Sequence, residues 1–258
     1  MNSKFKKILV TGSTSGLGRD LSLTLKDQKG IYLICIGRNK QKFNYLKKRI
    51  KKNVLFLKQN LNNISNIKNL ILKLKKKSLL PDVVIHCMGG GLGLRSPLLE
   101  SKNWDLLFKT NFLSGVELNN QLINSKRKSQ KLHIIHVSGI ASLLTGMGSI
   151  GLSSTKFMLI PYVSNMFKYA RKFNIKINCI LPGGFMSSEG SFFRLKKKNY
   201  SGYKNYIYSK TLKKKLMKSK DIQKAICDLV FKKNSDLNGY NLIVDYSKSL
   251  ENYKQEKK

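Results

Sequence analysis

Acidic side chains are scarce in this chain: 13 Asp and Glu stand against 50 Lys and Arg, a formal net charge of +37 over 258 residues. An excess of that size attracts nucleic acid, anionic membrane or anionic small molecules. The lysines are spread everywhere, however, and the runs Lys75–Lys77, Lys196–Lys198 and Lys213–Lys215 fall near expected helix ends or in loops, where they are solvated. None is interleaved with aromatics as in an RNA-binding motif, so nucleic acid is not the expected partner. Proline is rare, at 4, and no Gly/Ser/Pro-rich linker divides the chain. One domain over 1–247 with a polar tail over 248–258 is expected. Four cysteines, Cys35, Cys87, Cys179 and Cys227, form no C-x-x-C pair. That excludes zinc-finger and thioredoxin-like sites, and no metal site is expected. Cys35 and Cys179 lie in apolar runs and read as buried, reduced thiols. No apolar run reaches the length of a signal peptide or a membrane span, which leads to the expectation of a cytoplasmic protein.

What the chain does have is alternation. Short runs rich in Ile, Val and Leu read as seven strands: Phe5–Val10, Ile31–Ile36, Asn53–Lys58, Pro81–Cys87, Lys131–Ser138, Ile175–Leu181 and Tyr240–Asp245. They lack clean polar alternation, as strands covered on both faces do. Helical patterns lie between them, from about Gly16 and near 40–51, 63–77, 103–125, 149–171 and 219–232. Repeated β-α units imply an α/β fold, a doubly wound (Rossmann) sheet of about seven parallel strands with helices on both faces. Residues 183–219 break the alternation with a long, basic, aromatic stretch after the sixth strand. Ligands bind beyond the carboxyl ends of such strands, so this stretch reads as a substrate lid.

The first strand runs into "TGSTSGLG", Thr11 to Gly18. Gly12, Gly16 and Gly18 let a pyrophosphate approach the backbone, and the helix that starts here aims its free N–H groups at the phosphates. A Gly-rich turn between an N-terminal strand and a helix therefore points to a dinucleotide, held by Gly12, Ser13, Thr14, Gly16, Leu17 and Gly18. His86 and His136 sit in apolar strand runs and read as core histidines. Trp104 opens a helix and reads as a packing anchor.

These motifs together resemble the short-chain dehydrogenase/reductase family. T-G-x-x-x-G-x-G is its glycine turn, and "HCMGGG" (His86–Gly91) is similar to its N-N-A-G, with the glycine kept. Asn111, Ser138, Lys156 and "LPGGF" (Leu181–Phe185) match its helix asparagine, catalytic serine, lysine and P-G motif, in order. The resemblance covers roughly residues 5–245. It implies hydride transfer between a nicotinamide cofactor and a small-molecule carbonyl or alcohol. Ser138 would bind the oxygen, Lys156 the nicotinamide ribose, and Asn111 a relay water; Gly89, Pro182, Gly183 and Ser187 would complete the cofactor site. It also implies a homodimer or homotetramer built on helices 103–125 and 149–171.

Three positions depart from the pattern. Arg38 follows the second strand, where an acid would select NAD(H) by bonding the 2′-hydroxyl; arginine suits a 2′-phosphate, so NADP(H) is favoured over NAD(H). Asn60 stands near the adenine, where an aspartate is usual. The family's tyrosine, four residues before its lysine, corresponds to Leu152, and no tyrosine occurs between Ser138 and Lys156. Leucine has no proton to give. Three readings stay open: an oxidoreductase that takes its proton from a substrate hydroxyl, a water or a lid tyrosine (Tyr200, Tyr203, Tyr206 or Tyr208); a cofactor-binding pseudoenzyme or partner subunit; and a basic nucleic-acid or membrane-surface binder. "HCMGGG", "LPGGF" and the basic lid resemble a subgroup from bacterial surface-polysaccharide biosynthesis, which implies a nucleotide-linked or modified sugar.

Overall fold

A computed structural model of the chain describes residues 5–144, 148–210, 214–231 and 237–245. The expected tail lies outside these residues, as does Lys213. The described strands are β1 (Lys6–Thr11), β2 (Ile31–Gly37), β3 (Val54–Lys58), β4 (Val83–His86), β5 (Leu132–Val137), β6 (Ile175–Pro182), β7 (Phe185–Met186), β8 (Met217–Lys218) and β9 (Asn241–Val244). Seven of them form one parallel sheet in the order β3-β2-β1-β4-β5-β6-β9; β7 and β8 pair separately. This is the doubly wound arrangement expected from the alternation.

Successive residues of a strand face opposite sides, so each strand feeds two cores. Ile8 and Val10 join one core with α1 (Gly16–Leu25), α2 (Lys40–Lys47) and α11 (Ser219–Phe231). Leu9 joins the other with α3 (Ile64–Lys76), α5 (Ser114–Ser125) and α7 (Leu159–Phe167). The asparagine-rich composition supplies caps: Asn39 accepts from the Lys42 N–H and Asn63 from the Ser65 N–H, satisfying groups the first helical turn leaves free.

The two long helices expected next to the site are both broken. Residues 103–125 form α4 (Ser101–Phe108), a π-helical turn at Lys109–Leu113, and α5. The widened turn carries Asn111, whose side chain is bonded outside the helix. Residues 149–171 form α6 (Ile150–Phe157), α7 and α8 (Ala170–Phe173). Pro161 has no N–H to give the Phe157 carbonyl, which fits the break at Met158. The anchor of α4 is Leu107 rather than Trp104: Leu107 is its buried residue, and a Cβ on Gly151 would lie 2.5 Å from Leu107 Cδ1. The stretch expected as a lid contains α9 (Ser191–Lys198) and α10 (Tyr200–Lys210), neither with a buried residue.

β1 and β4 are neighbours whose following connections leave in opposite directions, and a crevice opens at the carboxyl ends of such strands. Apart from Pro182, which ends β6, the expected site residues lie on the turns and helices that follow the strands.

Candidate active site

At the nucleotide end, Gly12 has φ +65°, and a Cβ there would lie 3.0 Å from Met88 backbone atoms. A Cβ on Gly18 would lie 2.5 Å from the Gly12 carbonyl oxygen, so the turn folds this tightly only with glycine at both positions. Ser15 caps α1 in extended conformation without a side-chain bond, and no acid occupies the first turn. The Gly16 N–H is taken by the Ser188 carbonyl at 2.7 Å, so a cofactor pyrophosphate would meet the rest of the first turn. Leu17 is buried beneath it, and Ser187 Oγ stands 3.7 Å from where a Gly16 Cβ would be. Ser13 and Thr14 serve the turn itself. Ser13 Oγ donates to the Ile36 carbonyl at 3.0 Å, and Thr14 packs onto Gly37. Arg38 and Asn60 are exposed at the ends of β2 and β3.

At the reacting end, Ser138 is 2% exposed; its Oγ donates to the Lys156 carbonyl at 2.9 Å. Lys156 Nζ donates to the carbonyls of Val137 (3.0 Å) and Ser138 (2.7 Å), which fastens α6 to the end of β5. Burial pushes the Lys156 ammonium down to about 8, against opposing pulls from Cys179 and Cys87. An NMR titration of ¹³Cε-labelled lysine is expected to show one signal with a midpoint near 8; a midpoint at the ordinary 10.5 would contradict this environment. Asn111 Oδ1 accepts from the Gly90 N–H at 2.7 Å, while its Nδ2 donates to the Gly90 carbonyl and to Thr155 Oγ1. Its side chain is therefore a strut between the Gly89–Gly91 loop and α6. Gly89 needs its φ of +151°, and a Cβ there would lie 2.9 Å from Asn111 Oδ1.

Leu152 lies one turn before Lys156 on α6 and forms an apolar wall: a Cβ on Gly91 would sit 3.8 Å from its side chain. Tyr162 points elsewhere, its hydroxyl accepting from Asn119 at 3.1 Å. Among the tyrosines of residues 183–219, Tyr200 and Tyr208 are exposed, at 54% and 66%. Tyr206 is turned inward, its ring packed on Phe192 at 4.6 Å and its hydroxyl 3.5 Å from the Cβ position of Gly184. Burial, and then the Asp245 charge, push its pKa up. Pro182 ends β6 and Gly183 continues it, its N–H bonded to the Val244 carbonyl at 2.9 Å; a Cβ on Gly183 would lie 2.6 Å from Asp245.

Residues 187–190 form a strap over the start of α1. The Gly16 N–H donates to the Ser188 carbonyl at 2.7 Å, and the Ser188 N–H to Asp20 at 3.1 Å. Glu189 pairs with Arg19 (2.7 Å) and Lys42 (2.6 Å), joining the stretch after β6 to α1 and α2. Hydrogen bonds from Lys42 and then Arg19 hold its carboxyl below the usual range. The sequence reading missed this clamp, though one signal was visible: Glu189 is the single acid in the basic stretch 183–210. Because the pair is partly exposed, Glu189→Gln is expected to cost less than about 1 kcal/mol of stability. It should nevertheless speed limited proteolysis within 190–210, and an unchanged cleavage rate would count against the clamp.

The glycine turn, the helix that follows it and the residues around Lys156 together define a dinucleotide-binding α/β protein. A family model described as "short chain dehydrogenase" matches residues 6–194. The chain belongs to that family, the NAD(P)-dependent short-chain oxidoreductases. It is 24% identical over 245 residues to the 3-oxoacyl-[acyl-carrier-protein] reductase FabG of Buchnera aphidicola subsp. Schizaphis graminum, covering 95% of this chain and 98% of that protein. Similar solved structures include ElxO with NADP bound (TM-score 0.83, 21% identity, 93% and 97% of the two chains). L-sorbose reductase from Gluconobacter frateurii, complexed with NADPH and L-sorbose, has a TM-score of 0.82 at 18% identity, over 94% and 96%. 4-Hydroxyisoleucine dehydrogenase complexed with NADH has a TM-score of 0.79 at 21% identity, over 93% and 97%. Among the described residues, no helix is long and apolar enough to cross a membrane, and no cluster of three or more His, Cys, Asp or Glu is placed to hold a metal.

Proposed function

We propose that the protein is an NADP(H)-dependent oxidoreductase acting on a carbonyl or alcohol of an anionic small molecule, with its proton supplied by a group other than a tyrosine on α6. The observation that carries this reading is the convergence of Ser138, Lys156 and the glycine turn at one end of the sheet, with Leu152 facing the glycine loop one turn before Lys156. The cofactor, when bound, supplies or accepts the hydride. The chain's own residues do the rest. Gly12, Gly16, Leu17, Gly18 and Ser187 hold its phosphates, Lys156 its ribose, and Ser138 the reacting oxygen. Asn111 keeps the floor of the site in place. The half-buried Tyr206 is the lid phenol we assign to carry a proton, beside a substrate hydroxyl or a water.

NADP(H) is favoured over NAD(H) because Arg38 is exposed at the end of β2 and no acid occurs from Gly37 to Lys47. A charge-assisted bond to a 2′-phosphate is worth roughly 1.5–3 kcal/mol. Arg38→Ala should therefore weaken NADPH binding about 10–100-fold and leave NADH unchanged. Equal losses for both would count against a 2′-phosphate contact. For the substrate we favour a nucleotide-linked or modified sugar of surface-polysaccharide biosynthesis; the basic lid suits an anionic one, and L-sorbose reductase is a sugar-reducing neighbour. A panel of keto-sugars alongside a 3-oxoacyl thioester, the substrate type of the Buchnera relative, tests this choice. The four free cysteines are consistent with the cytoplasm. Phe157 is exposed at 48% beside an apolar groove lined by Phe112, Met158, Tyr162, Met166 and Tyr169, which fits a homodimer or homotetramer.

A second reading, a cofactor-binding pseudoenzyme or partner subunit, is favoured by Leu152 alone. A tyrosine-to-phenylalanine variant of ElxO has been solved with NADPH bound, so in that neighbour binding does not need the lost hydroxyl. Tight NADPH binding with no turnover on the panel would select this reading over the first.

A further inference from the structure

β4 and β5 bring two histidines together. His86 and His136 are register partners on neighbouring parallel strands, so their rings leave the same face and stack, with centroids 4.3 Å apart and planes within 10°. They are 6% and 1% exposed. Asn119 of α5 bonds both: its Oδ1 lies 2.8 Å from His86 Nε2 and its Nδ2 lies 3.0 Å from His136 Nε2. Burial pushes His86 down to about 4 and His136 well below the usual range, so both rings are neutral at pH 7. An amide has one accepting and one donating end. Whichever way Asn119 is turned, one ring must carry its proton on Nε2 and the other on Nδ1. The two Nδ1 atoms therefore differ: one donates and the other accepts.

Both Nδ1 atoms flank the same small space. A Cβ on Gly115 would lie 3.5 Å from each of them. Gly115 and both histidines line a cavity of about 10 Å³, together with Thr11, Thr110, Asn111 and Ser114. One water needs about 10–15 Å³ and two to four polar partners.

We propose that this cavity is a built site for a single water, which accepts from one histidine Nδ1–H and donates to the Nδ1 of the other. The water ties together the ends of β4 and β5, which lead to the Gly89–Gly91 loop and to Ser138. His86, His136 and Asn119 are positioning residues in this arrangement, and glycine at 115 keeps the space open.

Long-range ¹H–¹⁵N spectra of the full chain at pH 7 are expected to show one ring as the Nε2–H tautomer and the other as Nδ1–H, with magnetisation transfer from a bound water to that Nδ1–H. A high-resolution crystal structure should show one water above Gly115. Gly115→Ala should remove that water and its cross-peak while the rings stay neutral. Identical tautomers, or a dry cavity in the wild-type protein, would overturn the proposal, and those wild-type measurements decide it even if the alanine variant fails to fold. None of these readouts depends on turnover, so this inference and the proposed reaction fail separately.

Discussion

Leu152→Tyr is expected to raise carbonyl reduction by about 10²–10⁴-fold, the usual contribution of a positioned proton donor. Residue 152 lies four residues before Lys156 on α6, so the two side chains share a face. It also borders the Gly89–Gly91 loop, where the Gly91 Cβ position is 3.8 Å from the leucine side chain. A phenol introduced there meets the buried Lys156, whose charge would favour the phenolate. The expected signature is a rise in kcat with NADPH affinity nearly unchanged, because the new group touches the reacting atoms and not the phosphates. Tyr206→Phe provides the complementary measurement. If Tyr206 supplies the proton in the natural chain, its loss abolishes the basal rate and Leu152→Tyr restores it. No gain from Leu152→Tyr on any active substrate would show that proton delivery is not the limiting step.

Acid is expected to weaken the fold steeply between about pH 7 and pH 4. His86 and His133 are both held down to about 4, His86 by burial and His133 by burial with help from the Lys176 and Lys6 charges. An unfolded histidine takes up its proton near 6.5, while the folded rings stay neutral to about 4. The unfolded state therefore binds protons that the folded state refuses, and stability present above about pH 6.5 is lost as pH falls toward 4. The shift of His86 corresponds to about 3 kcal/mol, a large fraction of the roughly 5–15 kcal/mol that holds a domain together. With only 13 acidic residues in the chain, carboxylate protonation adds little to this slope. Urea unfolding at pH 7, 5.5 and 4.5 measures it, and His86→Asn should flatten it; a stability independent of pH in that window would refute the buried neutral pair.

The parts of the site legible in the sequence are the ones written locally. The glycine turn reads from three residues on one connection, and Ser138, Lys156 and Pro182 are expected from the resemblance of their surrounding motifs to the family. The less legible parts depend on what each side chain meets. Ser13 and Thr14 looked like ligand contacts beside the glycines, yet the Ile36 carbonyl and Gly37 of β2 engage their side chains. Asn111 looked like a relay residue, yet the Gly90 backbone and Thr155 use its amide. The helix over 103–125 looked continuous because its apolar period crosses the π turn without a glycine or proline to mark it.

By itself the sequence determined the doubly wound parallel sheet and the glycine-framed turn after its first strand. Periodicity and short motifs encode these within a few dozen residues. Only the tertiary structure decided that Glu189 clamps Arg19 from 170 positions away, that Tyr206 turns inward, and that two histidines stack over Gly115. Those contacts follow from strand register and helix packing, which depend on the whole chain closing around two cores at once.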